Sequence, residues 1–377
     1  MIPTYIPILK GKKGEFDALK HTNARTAQRL KPLFELPAFA GSVADSKRFK
    51  DLTQPTVAFI NEFAVKTADV WTGRECFVDA RHWAPNATLE NGEHVLSYAY
   101  SRLAALDVQA NPVVNYDVWD DPEYQEVFKN AGAGSSATLC IRLETDALDD
   151  LDDPDYFIDR LEEIIAKTAF DESNICILID FRDTSPLSVI DMQSDVEKCL
   201  AALARWGFAY TAIAGSSIPT LINDAVEEVN STGFVTRKEM LTWKAIKKAY
   251  PSKSLVFSDY AIRNPNAVDD VPAPHANGKI RYTITNQFFV VRGHSLQFHD
   301  KGKQYHRLSA VVANSSHYMG RGFSYGDEHI YSCAKGEGGC GNSTTRITID
   351  TTHHLKAVTT EIFEFTVTTV KDAEESR

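Results

Sequence analysis

The fold is decided by a stretch at the start of the chain, YIPILKGKKGEF, residues 5–16. Its first six residues form a short apolar run that ends on Lys10, two glycines bound the turn that follows, and Glu15 and Phe16 begin a helix. Seven further stretches repeat this plan of an apolar strand, a polar or charged residue at its end, and then a helix. Lys10 is therefore either a surface residue or the first member of a site.

Short apolar runs predict eight strands, which alternate with segments of helical periodicity. The predicted strands are residues 5–10, 31–36, 75–80, 111–116, 137–143, 174–181, 208–214 and 254–260. The predicted helices are residues 15–30, 56–69, 94–106, 156–169, 189–206, 219–229 and 237–250. This alternation is typical of a parallel sheet covered by helices, and eight units over about 260 residues match a (β/α)8 TIM-like barrel. An open doubly wound sheet is the alternative, but no GxGxxG follows the first strand.

Three regions divide the chain. Residues 1–270 are predicted to form the barrel, and residues 371–377 a disordered tail. Residues 271–370 are predicted to be a C-terminal elaboration packed on the barrel rather than an independent domain. This elaboration combines one or two short strands at 279–291, a helix at 306–313, a glycine-rich loop at 320–341 and a helix at 353–363.

Composition excludes some classes of protein. The 377 residues carry a formal net charge of −11, which argues against non-specific coating of nucleic acid, because that affinity comes from Lys and Arg neutralising phosphates. No apolar run approaches the ~20 residues that span a bilayer, and no signal segment opens the chain. The six cysteines include no CxxC pair. We expect a soluble, cytoplasmic protein that does not associate with membranes.

Charged residues at the ends of the predicted strands are the main candidates for a site, because barrels place their active sites there. The candidate catalytic residues are Lys10, Glu35, Asp79, Asp180 and Asp259. Their carboxylates would act as general acid or base, or together hold a divalent cation. The alternative is that these charges pair into salt bridges around the rim.

Other residues suggest binding of an anionic ligand. Arg142 is a second strand-end cation, and Gly215-Ser216-Ser217 lies after the seventh strand, where barrels often bind phosphate. An ordinary turn and helix cap explains that tripeptide equally well. Cations and aromatic residues occur together around Arg281, Tyr282 and Arg321, a mixture that suits a nucleotide. His354, in a predicted helix, is a further candidate for a polar contact with the ligand.

Cys333 and Cys340 with His353 and His354 form the one constellation that suggests zinc. The spacing C-x6-C lacks the short paired knuckle of structural zinc sites, and adjacent histidines diverge on a helix. The pattern disfavours zinc, and the identity of any metal stays open.

Several segments together resemble the beta protein family. They are YIPILKGKKGEFDAL, KPLFELP, FVDAR, KIRYT, GRGFSYGDEHI and HHLKAV, and they run from residue 5 to about residue 363. The resemblance implies occurrence in bacteria and phages, and a setting in phage–host conflict or mobile elements, without an established function. The segments include Lys10, Glu35, Asp79 and Arg281, which supports a shared pocket at the barrel mouth.

Three functions fit these residues. The first is a phage- or defence-associated enzyme that binds a phosphate-bearing ligand and hydrolyses a phosphodiester or nucleotide. The second is a non-catalytic sensor or adaptor in a phage-defence system, with a protein partner. The third is a carbohydrate hydrolase that uses two of the carboxylates, with Trp71, Trp83 and Trp119 near strand ends as stacking candidates.

Overall fold

The predicted barrel is confirmed. The structure is a computed structural model that describes residues 2–267, 276–298 and 300–375. Its strands are β1 (Tyr5–Leu9), β2 (Leu33–Glu35), β3 (Glu75–Asp79), β4 (Gln109–Asn115), β5 (Leu139–Leu143), β6 (Ile175–Asp183), β7 (Tyr210–Ser216), β8 (Thr232–Thr236), β9 (Leu255–Asp259), β10 (Asn277–Ile284) and β11 (Gln287–Ser295). Eight of them close a parallel barrel in the order β1-β2-β3-β4-β5-β6-β7-β9.

Helices cover the outer face of the barrel and build the C-terminal region. They are α1 (Lys13–His21), α2 (Ala24–Ala27), α3 (Gly41–Ala44), α4 (Pro55–Trp71), α5 (Val95–Ala104), α6 (Pro122–Phe128), α7 (Thr145–Asp149), α8 (Pro154–Thr168), α9 (Val189–Ala202), α10 (Ile222–Ala225), α11 (Lys238–Ala249), α12 (Tyr305–Ala313), α13 (Tyr325–Ala334) and α14 (Ser343–Glu375). No helix among these described segments combines the length and apolarity needed to cross a bilayer.

The strands alternate between two cores, because successive side chains of a strand point to opposite faces of the sheet. The inward residues form a core inside the barrel that includes Ile6, Leu33, Phe77, Cys140 and Leu178. The residues between them point outward and pack under the helices, as Phe34, Val78, Ile141 and Ile179 do. This parity decides which strand-end side chains enter the barrel mouth.

The C-terminal region is built on a second sheet, in which β10, β11 and β8 pair antiparallel in that order. Apolar side chains of β10 and β11 pack against α12, α13 and α14. β8 comes from the connection between β7 and β9, so this sheet takes one strand from the segment assigned to the barrel. The helix α14 lies against α1, where Thr348 Oγ1 donates to the carbonyl of Gly14 at 3.1 Å.

Several predicted elements differ from those observed. The helix predicted at 15–30 is two helices, because Asn23 caps α2 by accepting the N–H of Thr26 at 2.9 Å. The helix predicted at 219–229 is the single turn α10, and β8 follows it.

The glycine-rich segment 320–341 is not all loop, since Ser324 caps α13 by accepting the N–H of Asp327 at 3.2 Å. The helix predicted at 353–363 is the middle of α14, whose backbone continues to Glu375 within the segment predicted as a tail. Residues 376–377 of that tail lie outside the described residues.

Candidate functional site

Four barrel strands carry the same turn at or near their ends, in which a side-chain oxygen accepts the backbone N–H two residues further on. In each pair the side chain of the first residue accepts the N–H of the second. The pairs are Asp79 and Arg81 at 3.0 Å, Asn115 and Asp117 at 3.0 Å, Asp180 and Arg182 at 2.8 Å, and Asp259 and Ala261 at 2.9 Å. Such Asx turns are the reason that Asp and Asn are favoured where a strand turns back. In each turn one carboxylate or amide oxygen is fixed, and the rest of the group is positioned for other contacts.

Arg142 lies at the centre of the barrel mouth and is fully buried. Glu35, Asp79, Arg142 and Asp180 each follow an inward apolar residue by two positions, so all four side chains enter the barrel. The guanidinium nitrogens lie 2.9 Å from Glu35 Oε1, 2.5 Å from Asp79 Oδ2, 2.8 Å from Glu144 Oε1, 2.7 Å from Asp180 Oδ2 and 2.7 Å from the Tyr260 hydroxyl. We call these six residues the mouth cluster.

The mouth cluster brings together four of the residues predicted from the sequence, and it does so as ion pairs. The carboxylates share a cation that belongs to the chain itself, which is the salt-bridge arrangement given above as the alternative. The guanidinium of Arg142 donates hydrogen bonds to several carboxylates at once and offsets part of their negative charge. The carboxylates of Arg142's partners and the hydroxyl of Tyr260 hold the pKa of this arginine well above its usual value, although burial opposes the shift.

Two carboxylates of the mouth cluster have opposite pKa shifts. Burial would raise the pKa of Glu35, but Arg142 and His82 outweigh it and lower the pKa to about 2. His82 Nε2 lies 3.0 Å from Glu35 Oε2. Burial raises the pKa of Glu144 to about 7, against the attraction of Arg142 and with a contribution from Asp180. Glu144 is thus the acid of this cluster that changes protonation near neutral pH.

Beside the mouth cluster lies a cleft of about 590 Å³. Its lining includes six cationic side chains, from Lys10, Lys12, Lys13, Arg48, Lys66 and Arg182, and the apolar residues Pro37, Val43, Phe49 and Phe59. We call it the lysine cleft. Lys10 Nζ donates to the carbonyl of Ala267 at 2.7 Å, and His82 connects the cleft to Glu35.

Positive charge is crowded in the lysine cleft. Glu62 pairs with both Arg48 and Lys66 and is the acidic residue of the lining. Burial lowers the pKa of Lys66, and the neighbouring Arg48 and Lys13 lower it further. An anion bound there would relieve this repulsion.

A second pocket of about 290 Å³ lies on the other side of Arg182. Asp79, Arg81 and Glu144 line it, and Arg182 lines both this pocket and the lysine cleft. Arg81 Nη1 contacts Glu144 Oε1, and Arg182 Nη1 lies 3.4 Å from Glu144 Oε2. The titratable Glu144 is therefore within reach of a small molecule that occupies this pocket.

Asp259 and His354 do not join the mouth cluster. Asp259 follows the outward residue Phe257 by two positions, so its carboxylate points away from the barrel interior. Its Oδ2 lies 3.0 Å from His354 Nε2, and the hydroxyl of Tyr5 donates to its Oδ1. Burial would raise the pKa of Asp259, but His354 and Arg237 outweigh it and lower that pKa, while burial lowers the pKa of His354.

The tripeptide Gly215-Ser216-Ser217 lies at the end of β7 and directly after it, not in an open loop. The Ser216 hydroxyl donates to the carbonyl of Arg263 at 2.7 Å, and the Ser217 hydroxyl donates to Glu239 Oε2 at 2.5 Å. Both serines are buried. Burial raises the pKa of Glu239 to about 7, although Arg237 opposes the shift.

The remaining predicted residues lie in the C-terminal region. Arg281 contacts Asp350 at 3.3 Å and lines a separate groove of about 790 Å³. The hydroxyl of the buried Tyr282 donates to Asp327 at 2.6 Å. Arg321 is exposed and pairs with Glu328 at 2.6 Å. The structure therefore does not collect these residues into one site with the mouth cluster.

Sequence reasoning missed several residues of this region as site members. Tyr260 continues the inward parity of Val256, so strand parity was the signal for it, whereas Glu144 is among the charged residues that the sequence places at the strand ends. Arg48 and Lys66 come from the segment before α4 and from α4 itself, where no strand end marks them. Their contribution depends on tertiary packing.

Comparison with known proteins agrees with the extent of this fold. A family model described as Beta protein matches residues 5–360, which spans the barrel and the C-terminal region as far as α14. No curated protein matches the chain.

Proposed function

Since the chain belongs to the beta protein family, we propose a function from its own side chains: the lysine cleft binds a phosphate-bearing ligand. The observation that carries this proposal is the concentration of six cationic side chains in one cleft of a chain whose net charge is −11. A local excess of cations against an overall negative charge focuses an anion on that cleft. Lysine and arginine are also the side chains that bind phosphate oxygens.

The size and lining of the cleft favour a small molecule with an apolar part. A volume of about 590 Å³ lies within the usual range of small-molecule sites. Phe49 and Phe59 line the same cleft as Lys10 and Lys66. A nucleotide has this combination of a phosphate group and an aromatic ring, so nucleotides are the first class to test.

Hydrolysis of a phosphodiester or nucleotide is the second part of the proposal. Glu144 supports it, because a carboxyl group with a pKa of about 7 can give or take a proton at neutral pH. Arg182 lines both the lysine cleft and the pocket beside Glu144, which would place a cation between a bound phosphate and that acid. A sensor would have the same binding site and no turnover.

The carbohydrate-hydrolase alternative has less support. Trp71 and Trp119 are buried in the core, so two of the three tryptophans considered for stacking on a sugar are inaccessible. Trp83 lines the pocket beside Glu144. All four carboxylates of the mouth cluster contact the guanidinium of Arg142, and a carboxylate held in an ion pair is a weaker nucleophile toward a sugar.

The setting in phages and antiviral defence remains what the family resemblance implies. Cytoplasmic localisation is likewise a proposal, supported by six cysteines that are present as free thiols in the structure. A phage-challenge assay of cells that express the wild-type protein or a Lys10 variant tests the first of these expectations.

A ligand panel tests the proposed function. Inorganic phosphate and nucleoside mono-, di- and triphosphates are titrated calorimetrically against the full chain, with the matching unphosphorylated nucleosides as controls. We expect the phosphorylated compounds to bind and the nucleosides to bind at least roughly tenfold more weakly, since charge-assisted bonds are lost. Equal binding of both sets, or no binding by any phosphate, contradicts the proposal.

A further inference from the structure

Three side chains with metal-binding atoms converge in the C-terminal region, far in sequence from the barrel mouth. They are His306 of α12, Cys333 of α13 and Cys340 of the turn before α14, and their ligand atoms all lie within 4.8 Å of one another. In the part of the chain that the structure describes, this is the one such group of three. His353 and His354, which the sequence pattern paired with these cysteines, bind Asp327 and Asp259 instead.

The separation of the two sulfur atoms fits a tetrahedral zinc ion. Thiolates that bind zinc at about 2.3 Å on a tetrahedral centre lie about 3.8 Å apart. Cys333 Sγ and Cys340 Sγ are 3.8 Å apart, which is also longer than the bond of about 2.05 Å in a disulfide.

The backbone between the two cysteines explains how they meet. Gly336, Gly338 and Gly341 have positive φ values of 73°, 105° and 68°, a conformation that glycine adopts without steric cost. The N–H of Gly336 donates to the carbonyl of Cys333 at 3.1 Å. The glycine-rich sequence thus turns the chain back on itself and returns Cys340 to the end of α13.

Hydrogen bonds around these three side chains hold them in place and favour the thiolate form of the cysteines. His306 Nδ1 lies 2.7 Å from the carbonyl oxygen of Cys333 and 3.8 Å from Cys333 Sγ, so the imidazole is held next to the thiol. Arg346 Nη2 lies 3.5 Å from Cys333 Sγ and also donates to the carbonyl of Cys340. A guanidinium in this position stabilises a thiolate, which is the form that binds metal.

We propose that His306, Cys333 and Cys340 bind one zinc ion, with solvent at the fourth position. Thiolate and imidazole ligands select zinc over hard cations such as Mg²⁺. The site would join α12 and α13 to the turn that precedes α14, and it is independent of the function proposed for the lysine cleft. Cys340 and His306 are partly exposed, which gives the ion a route of entry.

Zinc content and thiol protection test the site. The protein is purified under reducing conditions without chelator, and its zinc is measured by mass spectrometry. We expect one equivalent per chain and protection of two thiols from an alkylating reagent until a chelator removes the metal. Cobalt substitution should give the intense visible bands of a tetrahedral thiolate site.

Cys340→Ser and His306→Asn test the ligands, with Cys199→Ser and His21→Asn as controls elsewhere in the chain. We expect zinc affinity to fall roughly tenfold or more in the first two variants and to be unchanged in the controls. The thiol-protection experiment needs no variant, so a misfolded variant leaves the test intact. Full reactivity of all thiols with zinc present, or reduced protein that takes up no zinc and forms a Cys333–Cys340 disulfide on oxidation, overturns the proposal.

Discussion

Asp180, close to the end of β6, and Asp259, the last residue of β9, make the same Asx turn, yet their carboxylates lie on opposite faces of the sheet. Asp180 points into the barrel and accepts from Arg142 Nη2 at 2.7 Å, whereas Asp259 points outward and lies 3.0 Å from His354 Nε2. The difference follows from strand parity alone. It divides the predicted catalytic residues into one group at the mouth and one that joins the barrel to the C-terminal region.

Replacing Asp259 by alanine should therefore destabilise the protein without weakening the binding of a ligand in the lysine cleft. The change leaves Arg237, His354 and Tyr5 buried without their shared acceptor, and breaking a buried pair in this way costs about 3–5 kcal/mol. Urea unfolding measures the stability, and ligand titration of the folded variant measures binding. A variant that loses ligand binding but has an unchanged free energy of unfolding would show that Asp259 belongs to the ligand site.

Arg142→Met should lower the free energy of unfolding by about 3–5 kcal/mol, because it leaves the four carboxylates of the mouth cluster without their common cation. Urea unfolding at neutral pH measures the effect. Arg321→Met is the matched control, since Arg321 pairs with Glu328 on the exposed surface and should change stability little. Similar effects of the two substitutions would show that the mouth cluster is not an ion-paired core.

The pKa shifts predict how stability depends on pH. Between about pH 2 and 4.5 the unfolded chain binds a proton at Glu35 that the folded protein does not, so stability rises with pH. Between about pH 4.5 and 7 the folded protein retains protons on Glu144 and Glu239 that the unfolded chain has released. These two acids should therefore contribute a fall in stability as the pH rises through that second range, against the rise contributed by His354, whose pKa burial lowers.

Glu144→Gln and Glu239→Gln test the predicted contribution of these acids to stability between about pH 4.5 and 7, because glutamine has the shape of the protonated acid and does not titrate. Compared with the wild type, urea unfolding at a series of pH values should show stability falling less, or rising more, between pH 4.5 and 7 in each variant, and the change should be largest in the double variant. A double variant with the wild-type profile would assign the pH dependence to other groups.

Lys10→Gln and Lys66→Gln should each lower the affinity for a phosphate-bearing ligand about tenfold or more, because each removes a charge-assisted contact from the lysine cleft. The effect should diminish at high salt, which screens the remaining cations. Calorimetric titration measures both. Lys20→Gln, an exposed lysine on α1 outside the cleft lining, is the control, and a loss of equal size there would indicate a non-specific charge effect.

Gly215→Ala should destabilise the protein by about 1–3 kcal/mol through overpacking. A Cβ atom at Gly215 would lie 2.5 Å from Thr184 Cγ2 and 3.3 Å from Glu239 Cβ, whereas one at Gly322 would meet no atom within 4 Å. Thermal unfolding of Gly215→Ala and Gly322→Ala gives the comparison. A stable Gly215→Ala variant that loses phosphate binding would instead support the tripeptide as a phosphate site.

The barrel was predictable because each of its eight strands is a short apolar run that ends on a polar residue. β8 was not, since alternate residues of Thr232–Thr236 are exposed and its partner β11 lies some 50 residues further along the chain. α13 was hidden by the glycines around it, although Asp327, Ile330 and Cys333 follow helical spacing.

The mouth cluster was predictable in its members more than in its chemistry. Glu35, Asp79, Arg142 and Asp180 were chosen as strand-end residues, but their convergence on one arginine depends on distances between strands that sequence spacing does not give. Phe257 points outward, and side chains two positions apart on a strand share a face, so the sequence could have placed Asp259 on the outer face of the barrel. The lysine cleft needed Arg48 and Lys66, and the packing of α4 against α1 brings Lys66 towards Lys10.

The contact between α14 and α1 has a consequence for synthesis on the ribosome. β1 emerges first, but Tyr5 shares the carboxylate of Asp259 with His354, and α1 packs against α14 near Gly14. The first barrel unit therefore stays partly uncovered until more than 300 further residues have been translated, since His354 is 349 positions from Tyr5. The native state therefore requires the synthesis of α14, and chains truncated before α14 would expose the outer face of that unit to proteases and chaperones.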